Sequence, residues 1–213
     1  GDVSDIVNKE IYSFNDRNDK SIALRPEGTA SVIRAIIEKK LDQSNHKLWY
    51  MGPMWRYERP QKGRYRQFYQ AGIEILGYKE GSPEFEMISI ICSIIKEFNL
   101  QNCHIKINHL GSQENKEAYC KALTDYLAPF KDKLDSKDLE RLTRNPLRVL
   151  DSKNEETILL LKGAPSIKSF LEPSALQLLE DIKNQFGDIC SIEIDHSLVR
   201  GLDYYSGFVF EAI

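Results

Sequence analysis

A chain of 213 residues, 41% of them apolar, is long enough for one large domain or a core domain with a smaller insertion, and it can bury a real core. Its 29 basic and 32 acidic residues give a formal charge of −3, which argues against a general nucleic-acid coat protein and leaves room only for a regional basic surface. The longest apolar run, residues 87–95, contains two serines and falls well short of a membrane helix, which needs ~20 residues. The N-terminus lacks the basic and apolar regions of a signal peptide, so a soluble globular protein with no membrane partner is expected. Cysteines 92, 103, 120 and 190 form no CxxC pair and have no clustered histidine partner, so they read as reduced core thiols, and no metal ligand is assigned. Histidines 46, 104, 109 and 196 are scattered, and none is given a catalytic role.

In chain order, residues 11–15 and 21–24 read as two short strands around the turn Asp16-Arg17-Asn18-Asp19. A helix is expected to start at Glu27 to Thr29, because Ala30, Ile33, Ile36 and Ile37 recur at helical spacing and the segment ends on Lys39 and Lys40. Period-2 patterning then predicts a hairpin from Trp49 to Ile75. Ser82-Pro83-Glu84 opens a second helix with a cap residue, a proline and an acid in the first turn, and Phe85, Ile88, Cys92 and Ile95 form its apolar stripe. Cys103 to His109 alternates as a strand. From about Gly111 to Gly187 the pattern changes to charged helical segments punctuated by Asn145-Pro146, Gly163-Ala164-Pro165 and Glu172-Pro173. Strand character returns at Ile189 to Ile194 and at Phe208 to Ile213. The expected organisation is a sheet domain over 1–110, a helical insertion over 111–187, and returning strands over 188–213.

Within the hairpin the odd positions Trp49, Met51, Trp55 and Tyr57 are large and apolar, and Ala71, Ile73 and Ile75 answer them on the returning arm. The even positions Arg56, Glu58, Gln70 and Glu74 are polar, with Gly72 among them. If the arms pair antiparallel across residues 59–66, these even residues share one face, a polar floor with room for a ligand to approach. Arg56, Arg59, Lys62, Arg64 and Arg66 put five cations in eleven positions whose only acid is Glu58. Such a patch suits phosphates, because a guanidinium fork holds their oxygens bidentately. A solvated hairpin tip would explain the loop charges but not Arg, Gln and Glu at matched parity inside strands.

The stretch Arg56 to Glu74 resembles motif 2 of the class II aminoacyl-tRNA synthetases, in its histidyl-tRNA synthetase form, with an arginine, a glutamate two residues on and a long basic loop. Leu24-Arg25-Pro26-Glu27-Gly28-Thr29-Ala30 resembles the segment from which those enzymes hold the substrate amino group. Arg200-Gly201-Leu202-Asp203-Tyr204-Tyr205 resembles the signature peculiar to the histidyl family. The resemblance implies an α+β fold, a class II antiparallel sheet flanked by helices with a helical insertion. It also implies a cytoplasmic histidine–tRNA ligase, homodimeric at full length, that uses ATP and Mg2+ to convert L-histidine to histidyl-adenylate and then esterifies the 3′ end of tRNA(His).

The resemblance implies residue roles as well. Carboxylate and α-phosphate repel until cations sit between them, and Arg56 and Arg200 would be those cations. Glu58 would face the adenine end, Arg64 the outer phosphates, and Phe68 would stack on adenine. Glu27, Thr29 and Gln70 would surround the α-amino group. Selecting imidazole requires partners for both ring nitrogens, roles that fall to Glu74 and Tyr205, with Tyr204 lining the same pocket. Motif 1 should precede the first residue and motif 3 should follow Ile213, and no anticodon-binding domain is present, so the chain reads as part of a longer synthetase. The insertion would approach the tRNA acceptor stem. Two alternatives remain. A synthetase-like regulator or tRNA sensor would have lost several of Glu27, Arg56, Gln70, Glu74, Arg200 and Tyr205, and an RNA-binding domain would leave Gln70 and Glu74 unexplained.

Overall fold

In the computed structural model, which describes residues 10–200 and 205–213, the chain divides after Pro83 into two units. The first begins with β1 (Ser13–Asn15) and β2 (Ser21–Ala23), paired antiparallel. The turn between them is closed by the Asp16 carboxylate, which accepts from the backbone N–H of Asn18 and Lys20 at 2.7 and 3.0 Å, the local bonding that makes aspartate a turn residue. Helix α1 (Thr29–Glu38) follows, its first turn capped by Glu27, whose carboxylate oxygens accept from Ala30 N–H at 3.1 and 3.2 Å.

Strands β3 (His46–Trp55) and β4 (Gln67–Leu76) form the expected hairpin, with Gly52 opposite Gln70, Tyr50 opposite Gly72 and Leu48 opposite Glu74. Even residues therefore face even residues, as the side-chain period of two requires. Beyond β3 the pairing continues through Arg56 N–H to Arg66 O at 2.9 Å. At the tip, Gly63 takes a φ of +80°, a conformation glycine adopts without a Cβ penalty.

The two faces of the hairpin are buried the opposite way from ordinary amphipathic alternation. Trp49, Met51 and Tyr69 on the apolar face are 76%, 70% and 75% exposed, whereas Gly52 and Met54 on the even face are buried. The cause is the segment 25–29, which lies on the even side. Arg25 Nε donates to Pro53 O, Arg56 Nε donates to Pro26 O, and Thr29 Oγ1 donates to Glu74.

The second unit takes most of α2 (Ser82–Glu97) and continues through β5 (His104–His109), α3 (Gln113–Leu127), α4 (Ser136–Arg144), α5 (Glu155–Leu161), α6 (Pro173–Phe186), β6 (Ser191–Ile194) and β7 (Phe208–Ala212). Strand β5 lies between the other two, parallel to β6 and antiparallel to β7. The parallel pair arises because four helices intervene between β5 and β6, the long crossover that parallel strands need. Ile105 and Ile107 of β5 pack with Ile88 and Cys92 of α2 and with Leu179, Ile182 and Phe186 of α6. The other helices close around Tyr119, Leu123, Leu127, Leu142, Val149 and Ile167, joined by Leu110, Leu198 and Val209. All four cysteines are free thiols, and Cys92 and Cys190 are buried. Burial, then a hydrogen bond with Cys190, pushes the Cys92 thiol up to about 12, so it is inert as a nucleophile. Among the described residues no helix is long and apolar enough to cross a membrane.

Helix α3 starts with a reciprocal cap in which Ser112 Oγ accepts from Asn115 N–H and the Asn115 side chain accepts from Ser112 N–H, at 3.2 and 3.0 Å. Ser112→Ala is expected to lower stability by about 1 kcal/mol, the usual cost of losing an N-cap. Chemical denaturation should show a lower midpoint at unchanged slope.

Candidate functional site

The even face of the hairpin gathers the candidate residues of the first unit. Glu74 is half-buried, and one of its oxygens accepts from Thr29 Oγ1 at 2.7 Å. The bond fixes the carboxylate and leaves its other oxygen able to accept a second donor. Thr29 therefore serves as the first residue of α1 and as an anchor for Glu74, while capping falls to Glu27. Four positions back along β4, the Gln70 Oε1 atom is buried with no hydrogen-bond partner among the described residues. A buried acceptor without a donor is costly, and it takes its partner from a ligand, an ion or water.

At the loop end, Arg56 Nε donates to Pro26 O at 2.9 Å and its guanidinium lies 5.0 Å from the Phe68 ring centroid. This clamp fixes the guanidinium through its Nε and its ring contact. Glu58 sits between two cations, 3.9 Å from Arg56 and 3.6 Å from Arg64. Arg64 is largely exposed, with 65% of its side-chain surface free, as expected of a loop-tip cation reaching toward solvent-borne groups. Arg66 packs over Tyr57 at 4.8 Å and donates to Glu58 O. Of the five loop cations, Arg56 and Arg66 are thus held by ring and backbone contacts.

In the second unit Arg200 donates to Glu211 at 2.6 Å. Glu211 stands opposite Lys106 in the β5–β7 register, and Lys106 in turn reaches Asp195 at 2.8 Å and Glu193 at 3.8 Å. The hydrogen bond that Lys106 donates to Asp195 raises the Lys106 pKa. Burial alone would raise the Asp195 pKa, but bonds from Lys106 and Ser197 outweigh it and hold the carboxyl below its usual range. The Asp195 contribution to stability is therefore complete above the ordinary carboxylate range and is lost as pH falls through the depressed folded value. Asn108 is fully buried, its amide donating to Leu198 O and its carbonyl meeting His196 Nδ1. Burial, then the Lys168 charge, lowers the His196 pKa. Tyr205 is 36% exposed, and its backbone carbonyl accepts from Lys116 Nζ. Tyr204 lies outside the described residues.

Glu27, Thr29, Arg56, Glu58, Arg64, Phe68, Gln70 and Glu74 all fall in the first unit, and Arg200 and Tyr205 in the second. Tyr50 belongs to this face too, and the sequence reading passed over it. Its even parity, shared with Gln70 and Glu74, was the available signal. Among the described residues no group of three or more His, Cys, Asp or Glu side chains is placed to hold a metal ion.

A family model described as histidyl-tRNA synthetase matches residues 3–213. A histidine–tRNA ligase of Francisella philomiragia is 46% identical over 215 aligned residues, covering 99% of this chain and 51% of its own length. The chain thus spans about half the length of the curated relatives it matches. The crystal structure of apo Staphylococcus aureus histidyl-tRNA synthetase superposes with a TM-score of 0.72 at 34% identity, covering 95% of this chain and 48% of that one. A Bacillus halodurans protein described as an ATP phosphoribosyltransferase regulatory subunit/histidyl-tRNA synthetase gives a TM-score of 0.63 at 19% identity over 98% of this chain and 58% of its own, a likeness of fold alone.

Proposed function

The chain belongs to the histidyl-tRNA synthetase family, and from that membership we propose that it is the histidine- and ATP-binding part of a ligase that forms histidyl-adenylate and transfers histidine to tRNA(His). The observation that carries this reading is the buried, unpartnered Gln70 Oε1 on the same strand face as Glu74. An ammonium donates to the first, and an imidazole N–H to the free oxygen of the second. Glu27 adds negative charge near the amino group. By the family resemblance, Tyr205 takes the other imidazole nitrogen and Tyr204 lines the pocket.

By the same resemblance, Arg56 and Arg200 are the cations for the carboxylate and α-phosphate, screening the repulsion between two anions and stabilising the charge that develops during attack. No side chain needs to act as a base, because the carboxylate is already a nucleophile at neutral pH. Arg64 takes the outer phosphates and Phe68 stacks on adenine. Mg2+ arrives with ATP and draws its oxygen ligands chiefly from the phosphates, neutralising part of their charge. Glu58 faces the adenine end. Helices α3 to α6 form the insertion that approaches the acceptor stem. The full-length protein is a cytoplasmic homodimer. The regulator reading is disfavoured because Glu27, Arg56, Gln70, Glu74, Arg200 and Tyr205 are all present.

The test is a calorimetric titration of this chain with L-histidine, histidinol and L-glutamine. Histidine is expected to bind selectively, and Gln70→Leu to weaken it roughly tenfold, the value of about one hydrogen bond to a charged group. A chain that is folded by circular dichroism and shows no preference for histidine would overturn the reading.

A further inference from the structure

The floor of the candidate site was expected to be open at Gly72, yet that space is filled. A Cβ on Gly72 would lie 2.2–2.5 Å from Cζ, Oη and Cε1 of Tyr50, and a Cβ on Gly28 would lie 2.2–2.7 Å from Cε2, Cζ and Cδ2 of the same ring. These are the two opposite edges of one phenol, so Tyr50 stands between two backbones that only glycine allows so close. Gly28 separates Glu27 from Thr29, and Gly72 lies midway between Gln70 and Glu74 on β4. The ring is therefore the packing element between the segment that carries Glu27 and Thr29 and the strand that carries Gln70 and Glu74. The Thr29–Glu74 hydrogen bond at 2.7 Å ties the same two elements together.

Resting on the reading of this face as the histidine pocket, we propose that Tyr50 is a positioning residue, a spacer whose ring sets the distance between the segment that carries Glu27 and Thr29 and the strand that carries Gln70 and Glu74. Its hydroxyl makes no hydrogen bond among the described residues, so the ring volume, and not the phenol oxygen, does the positioning. Gly28 and Gly72 are the complementary halves of the device. A methyl at either one has nowhere to go unless the ring moves, and a moved ring changes the gap. The gap, in turn, decides which amino acid can reach Glu27 on one side and Gln70 and Glu74 on the other at once, so Tyr50 is a determinant of specificity without being required to touch the substrate.

The experiment is calorimetry on the wild-type chain and on Tyr50→Phe, Tyr50→Ala and Gly72→Ala, with L-histidine, histidinol and L-glutamine as ligands and circular dichroism on each variant. Tyr50→Phe, the conservative variant, is expected to keep histidine affinity within about threefold. Tyr50→Ala and Gly72→Ala are expected to weaken it by on the order of 10- to 100-fold, since a misplacement of about 1 Å costs that much. Histidinol should weaken by the same factor, because the gap acts on the amino and imidazole groups that both ligands share, and the preference over glutamine should shrink. Folded Tyr50→Ala and Gly72→Ala proteins within threefold of wild type would overturn the spacer. So would a Tyr50→Phe variant as impaired as Tyr50→Ala, which would put the hydroxyl in direct contact with ligand. If Tyr50→Ala does not fold, Gly72→Ala decides, because it adds a single methyl. A wild-type chain that fails to bind histidine would overturn the site reading itself, an outcome separable from failure of the spacer alone.

Discussion

Glu74→Ala is expected to abolish the preference for histidine and weaken its binding by about 100-fold, roughly the 1.5–3 kcal/mol of a hydrogen bond to a charged group. The expectation follows from the half-buried carboxylate that Thr29 already holds by one oxygen. In the proposed site its second oxygen accepts from an imidazole N–H, and the Thr29 hydrogen bond fixes the carboxylate beforehand. Glu74→Gln should be nearly as damaging. It keeps the shape, but with Thr29 donating to the amide oxygen, the NH2 group is presented where the imidazole needs an acceptor. Thr29→Val should weaken binding less, because it releases the carboxylate without removing it. Calorimetry across the three variants reads the order directly, and equal affinities for Glu74→Ala and wild type would remove Glu74 from the pocket.

Asp138→Ala is expected to destabilise the second unit by about 3–5 kcal/mol, the cost of removing one partner from a buried charged network. Asp138 is 1% exposed in the first turn of α4. Its carboxylate accepts from the hydroxyls of Ser152 and Thr157 and from Arg141, the last two at 2.8 and 3.0 Å. Thr157 is fully buried and Ser152 is 6% exposed, so water cannot readily replace the lost acceptor. The variant therefore strands two hydroxyls and a guanidinium. Urea denaturation followed by circular dichroism would measure the loss. A change below about 1 kcal/mol would mean that the network contributes no more than an exposed ion pair. Asp138→Asn should fall between wild type and alanine, since it keeps one acceptor and adds a donor that faces Arg141.

Most of the elements were legible in the chain, and the reasons are local. The Asp16 turn, the Ser82-Pro83 helix opening and the breaks at Asn145-Pro146 and Glu172-Pro173 depend on neighbours within a few residues. The hairpin register was legible because parity carries it, and Gly52 opposite Gln70 keeps all even residues on one face. The β5–β6 pairing was not legible, because its direction is set by where a long helical crossover returns. Nor was the burial of the hairpin. Alternation says that the faces differ, but which of them is covered depends on the 25–29 segment, distant in sequence and bonded to the even side.

The same division holds at the site. The sequence by itself determined the family and the set of candidate residues, since Arg56, Glu58, Gln70, Glu74 and the Arg200–Tyr205 signature stand at fixed spacings whose chemistry is specific. Only the tertiary structure decided how those residues are engaged: Thr29 on Glu74, Glu27 on the helix cap, Arg56 against Phe68, Arg200 on Glu211, and Tyr50 wedged between two glycines. The physical reason is range. Residue type and periodicity act over a few positions, whereas a hydrogen-bond partner or a filled gap is settled by where distant segments come to rest.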